Sequence, residues 1–201
     1  AQQELFVPKG DACELDRLIL RNDSGTEKEL DVFSYVEFCL WDAVDDSSNF
    51  QRNFSTGEVE VEGSTIYHKT EYRERRNHYA LFTVNTPIDG FDTSRDAFLG
   101  AWHSNANPEV VENGRCTNSV AHGVHQVNVT LQPGESRSLI FVLGYIENPE
   151  DEKWAAPGVI NKTRAQAMAA RYATDAQVDA ALARLHDHWN NLLSTYSVKS
   201  S

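Results

Sequence analysis

Glu58-Val59-Glu60-Val61-Glu62 alternates strictly, valine to one side and glutamate to the other, and an extended strand is the conformation that gives this pattern two faces. Gly63-Ser64 then turns the chain into Thr65-Ile66-Tyr67-His68-Lys69, so the stretch predicts a hairpin with one wet side. The same signals recur along the chain. Glu14 to Arg21 runs in rough alternation into Asn22-Asp23-Ser24-Gly25, a dense turn signal. Glu29 to Trp41 follows, rich in Val, Phe, Tyr and Leu, and the two stretches predict a hairpin of long strands. His78 to Val84, ended by Asn85-Thr86-Pro87, and the alternating His125 to Leu131 are further strands. Gln132-Pro133-Gly134-Glu135 leads into Arg137 to Ile146, which is more continuously apolar and therefore more buried. Thr93-Ser94-Arg95-Asp96 caps a short helix holding Ala97, Phe98 and Leu99, with Gly100 as its stop. Long strands separated by turns predict a mainly β fold, a large antiparallel β-sandwich.

After Asn148-Pro149 the composition changes. Val159 to Tyr172 and Asp175 to Leu193 are rich in Ala, Leu, Arg and Gln and predict C-terminal α-helices. In the second, Val178, Leu182, Leu185, Trp189 and Leu192 recur at helical spacing, and Thr174 with Gln177 forms a capping box. Such helices seldom stand without a partner for the apolar stripe. The expected organisation is therefore a sandwich over residues 1–148 and a helical region over 149–201, packed on the sandwich or connecting it to a further domain.

The 201 residues suffice for one core or for a domain with an appendage. A net charge of -12 argues against nucleic acid and anionic membranes, which both need a positive face, and no apolar run is long enough for a spanning helix. Cys13, Cys39 and Cys116 are an odd, widely spaced set without a C-x-x-C, which fits a reducing, cytoplasmic location. Ala1 to Leu5 shows no signal peptide, so the N-x-[ST] triplets at Asn22, Asn53, Asn128 and Asn161 are read as chance matches.

The chemistry concentrates between Asn49 and Gly100. Tyr72, Arg73, Arg75, Arg76 and Tyr79 fall together, with Asn49, Gln51, Arg52 and Asn53 upstream. Planar guanidinium forks, amides and tyrosine faces suit hydroxyl-rich or anionic partners, and a salt-bridged strand edge would read the same way. His122 and His125 have no third metal ligand placed by spacing, and His186 and His188 point apart on a helix. Asp42, Asp45 and Asp46 are open to two readings, a glycosidase carboxylate or a solvated acidic loop. Trp41, Trp102 and Trp154 offer faces for a sugar ring or for a core. Nucleophile elbows and phosphate loops are absent from the sequence. The residues by themselves give a sandwich with an Arg/Tyr/Asn-rich patch and a helical tail, and no reaction.

Longer motifs add a family. Phe33-Ser34-Tyr35-Val36-Glu37-Phe38-Cys39-Leu40-Trp41, Asn49-Phe50-Gln51-Arg52-Asn53, Tyr72 to Tyr79, and Pro87-Ile88-Asp89-Gly90-Phe91-Asp92 resemble the cellobiose phosphorylases of glycoside hydrolase family 94. Asn118 to Gly123, Gly144 to Trp154 and Gly158 to Lys162 extend the resemblance along nearly the whole chain. It implies the later part of an N-terminal super-sandwich plus linker helices. The first strands, the (α/α) barrel with its acid and the phosphate site would lie outside this chain, so no catalytic residue is placed on it. The reaction implied is inverting phosphorolysis of cellobiose to α-glucose 1-phosphate and glucose, without a cofactor and with phosphate as co-substrate. Implied partners are the barrel domain and a homodimer subunit, into whose site a loop of this chain reaches. Asn49 and Arg52, with Asp42, are carried over as acceptor-sugar contacts. Gln51, Tyr72, Arg73, Arg75 and Arg76 are interface or secondary candidates. The alternatives are a free-standing carbohydrate-binding module and a phosphorylase of cellodextrins or another β-linked disaccharide.

Overall fold

The computed structural model describes residues 1–38, 44, 48, 57–70, 77–116, 123–196 and 198. In chain order they form β1 (Gln2–Phe6), β2 (Cys13–Arg21), β3 (Lys28–Val36), β4 (Gly57–Glu62), β5 (Thr65–Thr70), β6 (His78–Val84) and β7 (Gly90–Asp92). Then come α1 (Arg95–Leu99), α2 (Glu109–Asn113), β8 (Gly123–Leu131), β9 (Ser136–Glu147), β10 (Trp154–Ala156), β11 (Val159–Ile160), α3 (Thr163–Ala170) and α4 (Asp175–Leu193). One antiparallel sheet has the order β1-β2-β9-β6-β5-β4 and a smaller one β3-β8-β7. An antiparallel sandwich with helices at its C-terminal end is thus the fold that the alternation predicts.

The central strands of the six-stranded sheet are buried on both faces. On one face Leu20, Phe82, Leu139 and Phe141 meet Val127, Val129 and Leu131 of the smaller sheet. On the other, Cys13, Leu15, Tyr67, Tyr79, Leu81 and Val142 meet Ala165 and Met168 of α3, Tyr172, and Ala181 of α4. This double cover is why all seven residues of β6 are buried and why β9, paired with both β2 and β6, reads as a continuous apolar run. A third cluster, Phe98, Leu99, Val110, Cys116 and Val124, packs α1 and α2 on the outside of the smaller sheet.

β2 and β3 are not a hairpin. β2 pairs with β1 and β9, whereas β3 pairs with β8, so Asn22 to Glu27 carries the chain from one sheet to the other. The β8–β9 turn makes the same crossing beside it. Asn22 ties the two together: its side-chain amide donates to Thr26 O at 2.8 Å and Leu131 O at 2.9 Å, and its carbonyl accepts from Gly134 N at 2.8 Å. A turn signal fixes where the chain reverses but not in which plane, and Leu18, Leu20 and Val32 gain more by facing one another across the sandwich.

The β4–β5 hairpin forms as the alternation predicts, with Gly63 at φ 58° in its turn. Its glutamate side is not left to water, however. Glu60 accepts from Ile160 N at 2.8 Å, and Lys162 Nζ reaches Glu60 at 2.8 Å and Glu62 at 3.0 Å. On the opposite face Val61 remains partly exposed. The helix caps fall where the sequence puts them: Ser94 Oγ accepts from Ala97 N at 3.3 Å, Gly100 sits at φ 79°, and Thr174 and Gln177 cap α4 reciprocally. Val159 to Tyr172, expected to be helical throughout, instead opens with the short strand β11 and becomes helical at Thr163.

Candidate functional site

The ladders bring several strand ends to one end of the sandwich. Val36 pairs with Gly123, Gly57 with Thr70, and His78 with Glu147, so β3 and β5 end where β4, β6 and β8 begin. This is the end at which segments 39–56, 71–76 and 117–122 leave the strands. Asp42, Asn49, Gln51, Arg52, Tyr72, Arg73, Arg75 and Arg76 lie on the first two of those segments, outside the described residues, as do Trp41, Cys39, Asp45 and Asp46; His122 lies on the third, also outside them. The residues that flank them define the described part of the candidate site.

Phe38, just past β3, stacks on His68 of β5 with ring centroids 4.9 Å apart, joining the small sheet to the large one. Lys69, the next residue of β5, points to the opposite face, where it is buried beside Glu58 with its ammonium 4.0 Å from the Trp154 ring. Lys153 approaches the same ring at 4.2 Å. His78 stacks against Tyr145 at 5.7 Å, and Asn77 donates to Asn148 O at 2.9 Å. An open cleft of about 530 Å³ runs between these elements, lined by Val36, Phe38, Cys13, Ala80, Leu143 and Tyr145, with Glu37 also on its wall. Its wall is largely aliphatic and aromatic, which suits the apolar face of a ring and not an isolated charge.

Among the described residues near this end, the carboxylates of Glu37, Glu58 and Glu147 are already engaged. Glu37 receives Arg95 Nε at 3.0 Å and the Tyr35 hydroxyl, Glu58 holds Lys69, and Glu147 receives Asn77 Nδ2 at 3.4 Å. Burial, and then the hydrogen bond to Glu37, pushes the Tyr35 phenol upward, away from any role as a base near neutral pH. Burial likewise pushes the thiols of Cys13 and Cys116 up to about 12, so neither is a nucleophile.

The other sequence candidates separate. His125 is wholly buried, 4.7 Å from Phe82, with Nδ1 3.2 Å from Ser34 Oγ; burial lowers its pKa to about 3, and it is a core residue. His188 lies on α4 with Nδ1 3.0 Å from Lys9 Nζ. Among the described residues no group of three or more His, Cys, Asp or Glu is placed to hold a metal ion. Trp102 stands fully in solvent at φ 69°, while Trp154 is half-buried beneath the two lysines. The sequence reading missed Arg17. Its buried side chain, on the helix-covered face of β2, donates to Glu4 at 2.8 Å and reaches Asp175 at 3.3 Å and Asp179 at 2.7 Å, fastening α4 to the sheet. The signal available was an arginine on the alternation's inward side, opposite a helix start rich in aspartate.

The family described as glycosyl hydrolase 94, supersandwich domain, matches residues 1–175. The chain belongs to that family. It is 32% identical over 209 residues to the N,N'-diacetylchitobiose phosphorylase of Vibrio proteolyticus, covering 100% of this chain and 24% of the relative. Identity to the enzyme of the same name from Vibrio furnissii is 30% over 207 residues, again covering 100% of this chain and 24% of the relative. A solabiose phosphorylase of Paenibacillus borealis is 28% identical over 206 residues, covering 96% of this chain and 26% of the relative. The chain therefore spans about a quarter of the length of the curated relatives that it matches. For a supersandwich domain, the two-sided burial of the large sheet and the helices locked on it are the features that hold the strand ends of the candidate site in place.

Proposed function

We propose that this chain is the scaffold portion of an inverting glycoside phosphorylase, whose bond-breaking groups lie in a helical barrel of the longer enzyme. The observation that carries the reading is similarity along the whole chain to relatives named as disaccharide phosphorylases, each about four times as long. In such a reaction a phosphate oxygen bonds to the anomeric carbon as the glycosidic carbon–oxygen bond breaks on the opposite face. An acid gives its proton to the departing sugar oxygen. Phosphate is a co-substrate and no cofactor is required. The sandwich over 1–148 and the helical region over 149–201 act together as the support. Asn49 and Arg52, with Asp42, contact the acceptor sugar of a partner subunit in a cytoplasmic homodimer, and Tyr72, Arg73, Arg75, Arg76 and Gln51 stand at that interface. Amide and guanidinium donors suit ring hydroxyls, and an ordered arginine beside them is costly to leave unpaired.

The motifs resemble cellobiose phosphorylases, whereas the relatives at 32% and 30% are named for N,N'-diacetylchitobiose. The reading is therefore a β-linked disaccharide, with N,N'-diacetylchitobiose favoured over cellobiose. The test is sugar 1-phosphate release by the parent enzyme from each disaccharide, with and without phosphate. Phosphate-dependent release from either supports the reading, and the preferred disaccharide decides the substrate. Cleavage to two free sugars at a rate independent of phosphate refutes it, and so does phosphorolysis by the 201-residue chain by itself. Micromolar cellodextrin binding by that chain in calorimetry would favour a carbohydrate-binding module instead.

A further inference from the structure

Strand β4 is the last of the large sheet, and among the described residues no further strand pairs with its outer side. An edge strand has a ladder on one side only, so whatever touches its face decides how firmly it is held. Glu58, Glu60 and Glu62 stand directly opposite Lys69, Tyr67 and Thr65 of β5. At the open end of the hairpin Lys69 is buried beside Glu58, with its ammonium 4.0 Å from the Trp154 ring. Toward the turn, Lys162 Nζ lies between two carboxylates, 2.8 Å from Glu60 and 3.0 Å from Glu62. Ile160 N also donates to Glu60 at 2.8 Å, and Gln166 Nε2 to Glu62 at 3.4 Å. The Lys162 side chain is only 14% exposed. Burial would lower its pKa, but the bonds to Glu60 and Glu62 outweigh that and hold the ammonium charged. Its backbone is pinned as well: the carbonyl of the preceding Asn161 accepts from the Tyr79 hydroxyl of β6 and from Asn148 Nδ2, both at 2.9 Å. One lysine thus ties the edge hairpin to the centre of the sheet.

The hairpin is also where two of the candidate segments attach. Gly57 follows directly on segment 39–56, and Thr70 directly precedes segment 71–76. We propose that Lys162 is a positioning residue for the acceptor side of the reaction, acting through the β4–β5 hairpin that it clamps to the sheet. The proposal rests on the reading of Asn49 and Arg52 as acceptor contacts. Glu60 and Glu62 are two residues apart on one face of a strand, so without the ammonium two carboxylates stand side by side. Glu60 is mostly covered, and a covered carboxylate deprived of its cation is driven toward water. An edge strand with one ladder gives way with it. A displacement of about 1 Å in a positioning element can cost up to about a hundredfold in rate, so a partial shift of Gly57 and Thr70 is enough to be read in the acceptor contacts.

Lys162→Met in the parent enzyme, which keeps the stem and loses the charge, tests this in the synthetic direction. The KM for the acceptor sugar is expected to rise about fivefold, with kcat and the KM for the sugar 1-phosphate within about twofold of the unaltered enzyme, and Lys162→Arg should restore most of the loss. In an Arg52→Ala background the same substitution should add less than about twofold, because the contact that it positions is already gone. Should the Met variant fail to fold, Glu62→Gln removes one of the two ion pairs at a half-exposed carboxylate and should show the same split at about twofold. Hydrogen exchange of the 201-residue chain reads the clamp without any reaction: β4 amides should exchange about tenfold faster in Lys162→Met, while those of β9, paired on both sides, stay slow. Faster β4 exchange beside an unchanged acceptor KM overturns the proposal and leaves an ordinary structural ion pair. An equal rise in both KM values overturns it too, as does β4 exchange that does not respond. Arg52→Ala that leaves the acceptor KM unaltered refutes the acceptor reading on which the proposal rests. Arg52→Ala that raises it, beside a neutral Lys162→Met, refutes the positioning alone.

Discussion

Protonating His125 would place a cation between Phe82 and Phe141, with only Ser34, among the described residues, at hydrogen-bond distance from its ring. Burial therefore pushes its pKa down to about 3, against an ordinary value near 6.5 for the unfolded chain. Between those values the unfolded chain binds a proton that the folded chain does not. Stability is complete above 6.5 and falls as pH drops, by about 1.4 kcal/mol per unit for the single proton. Urea unfolding at pH 7 and pH 5 should show a flatter dependence for His125→Leu than for the unaltered chain; parallel dependences would remove His125 from the explanation. A second residue-scale expectation concerns Arg52 and belongs to the parent enzyme. Arg52→Ala should raise KM for the acceptor sugar in the synthetic direction about tenfold or more, with little change in KM for the sugar 1-phosphate. An equal rise in both would argue against an acceptor contact.

At the scale of elements, α3 approaches the large sheet closely. A Cβ on Gly144 would stand 2.7 Å from Met168 Sδ and 2.8 Å from Leu81 Cδ2, so glycine is what lets the helix sit this low on β9. Gly144→Ala should cost about 1–3 kcal/mol in urea unfolding, as overpacked cores do, and trimming the neighbour in Gly144→Ala, Met168→Ala should recover part of the loss. A neutral single variant would show that α3 does not pack this tightly. The elements themselves were largely legible. His78 to Val84 and Asp175 to Leu193 follow from periodicity and capping because their signals are local, a run of apolar β-formers and a Thr-x-x-Gln box. The partner of β2 was not legible, since a turn of Asn, Asp, Ser and Gly reverses the chain equally well within a sheet or between two. The covered glutamates of β4 escaped for a related reason: Lys162, which holds them, is a hundred residues away in sequence. The candidate site was legible only through family motifs, because amide and arginine side chains on connecting segments carry no periodicity.

For the whole molecule the decisive fact is that sheet and helices share one core. Cys13, Leu15, Tyr79 and Val142 pack on Ala165, Met168, Tyr172 and Ala181, and the buried Arg17 guanidinium is neutralised partly by Asp175 and Asp179 of α4. The Tyr79 hydroxyl donates to Asn161 O at 2.9 Å, and the Tyr172 hydroxyl donates to Asp11, whose carboxyl Arg171 also grips at 2.7 Å. Burial would raise the pKa of that carboxyl, but the Tyr172 and Arg171 contacts outweigh it and hold the value low. Removing the helices would thus strip one face of the large sheet and leave Arg17 short of two of its acidic partners, a loss of several kcal/mol against a total stability of about 5–15. A chain ended at Asn148 should fail to give a cooperative thermal transition, whereas one ended at His186 keeps every buried contact named above and should melt within a few degrees of the intact protein. Circular dichroism of the two truncations distinguishes the outcomes. Cooperative unfolding of the shorter piece would mean that the sandwich carries its own stability and that the helices are a detachable connector.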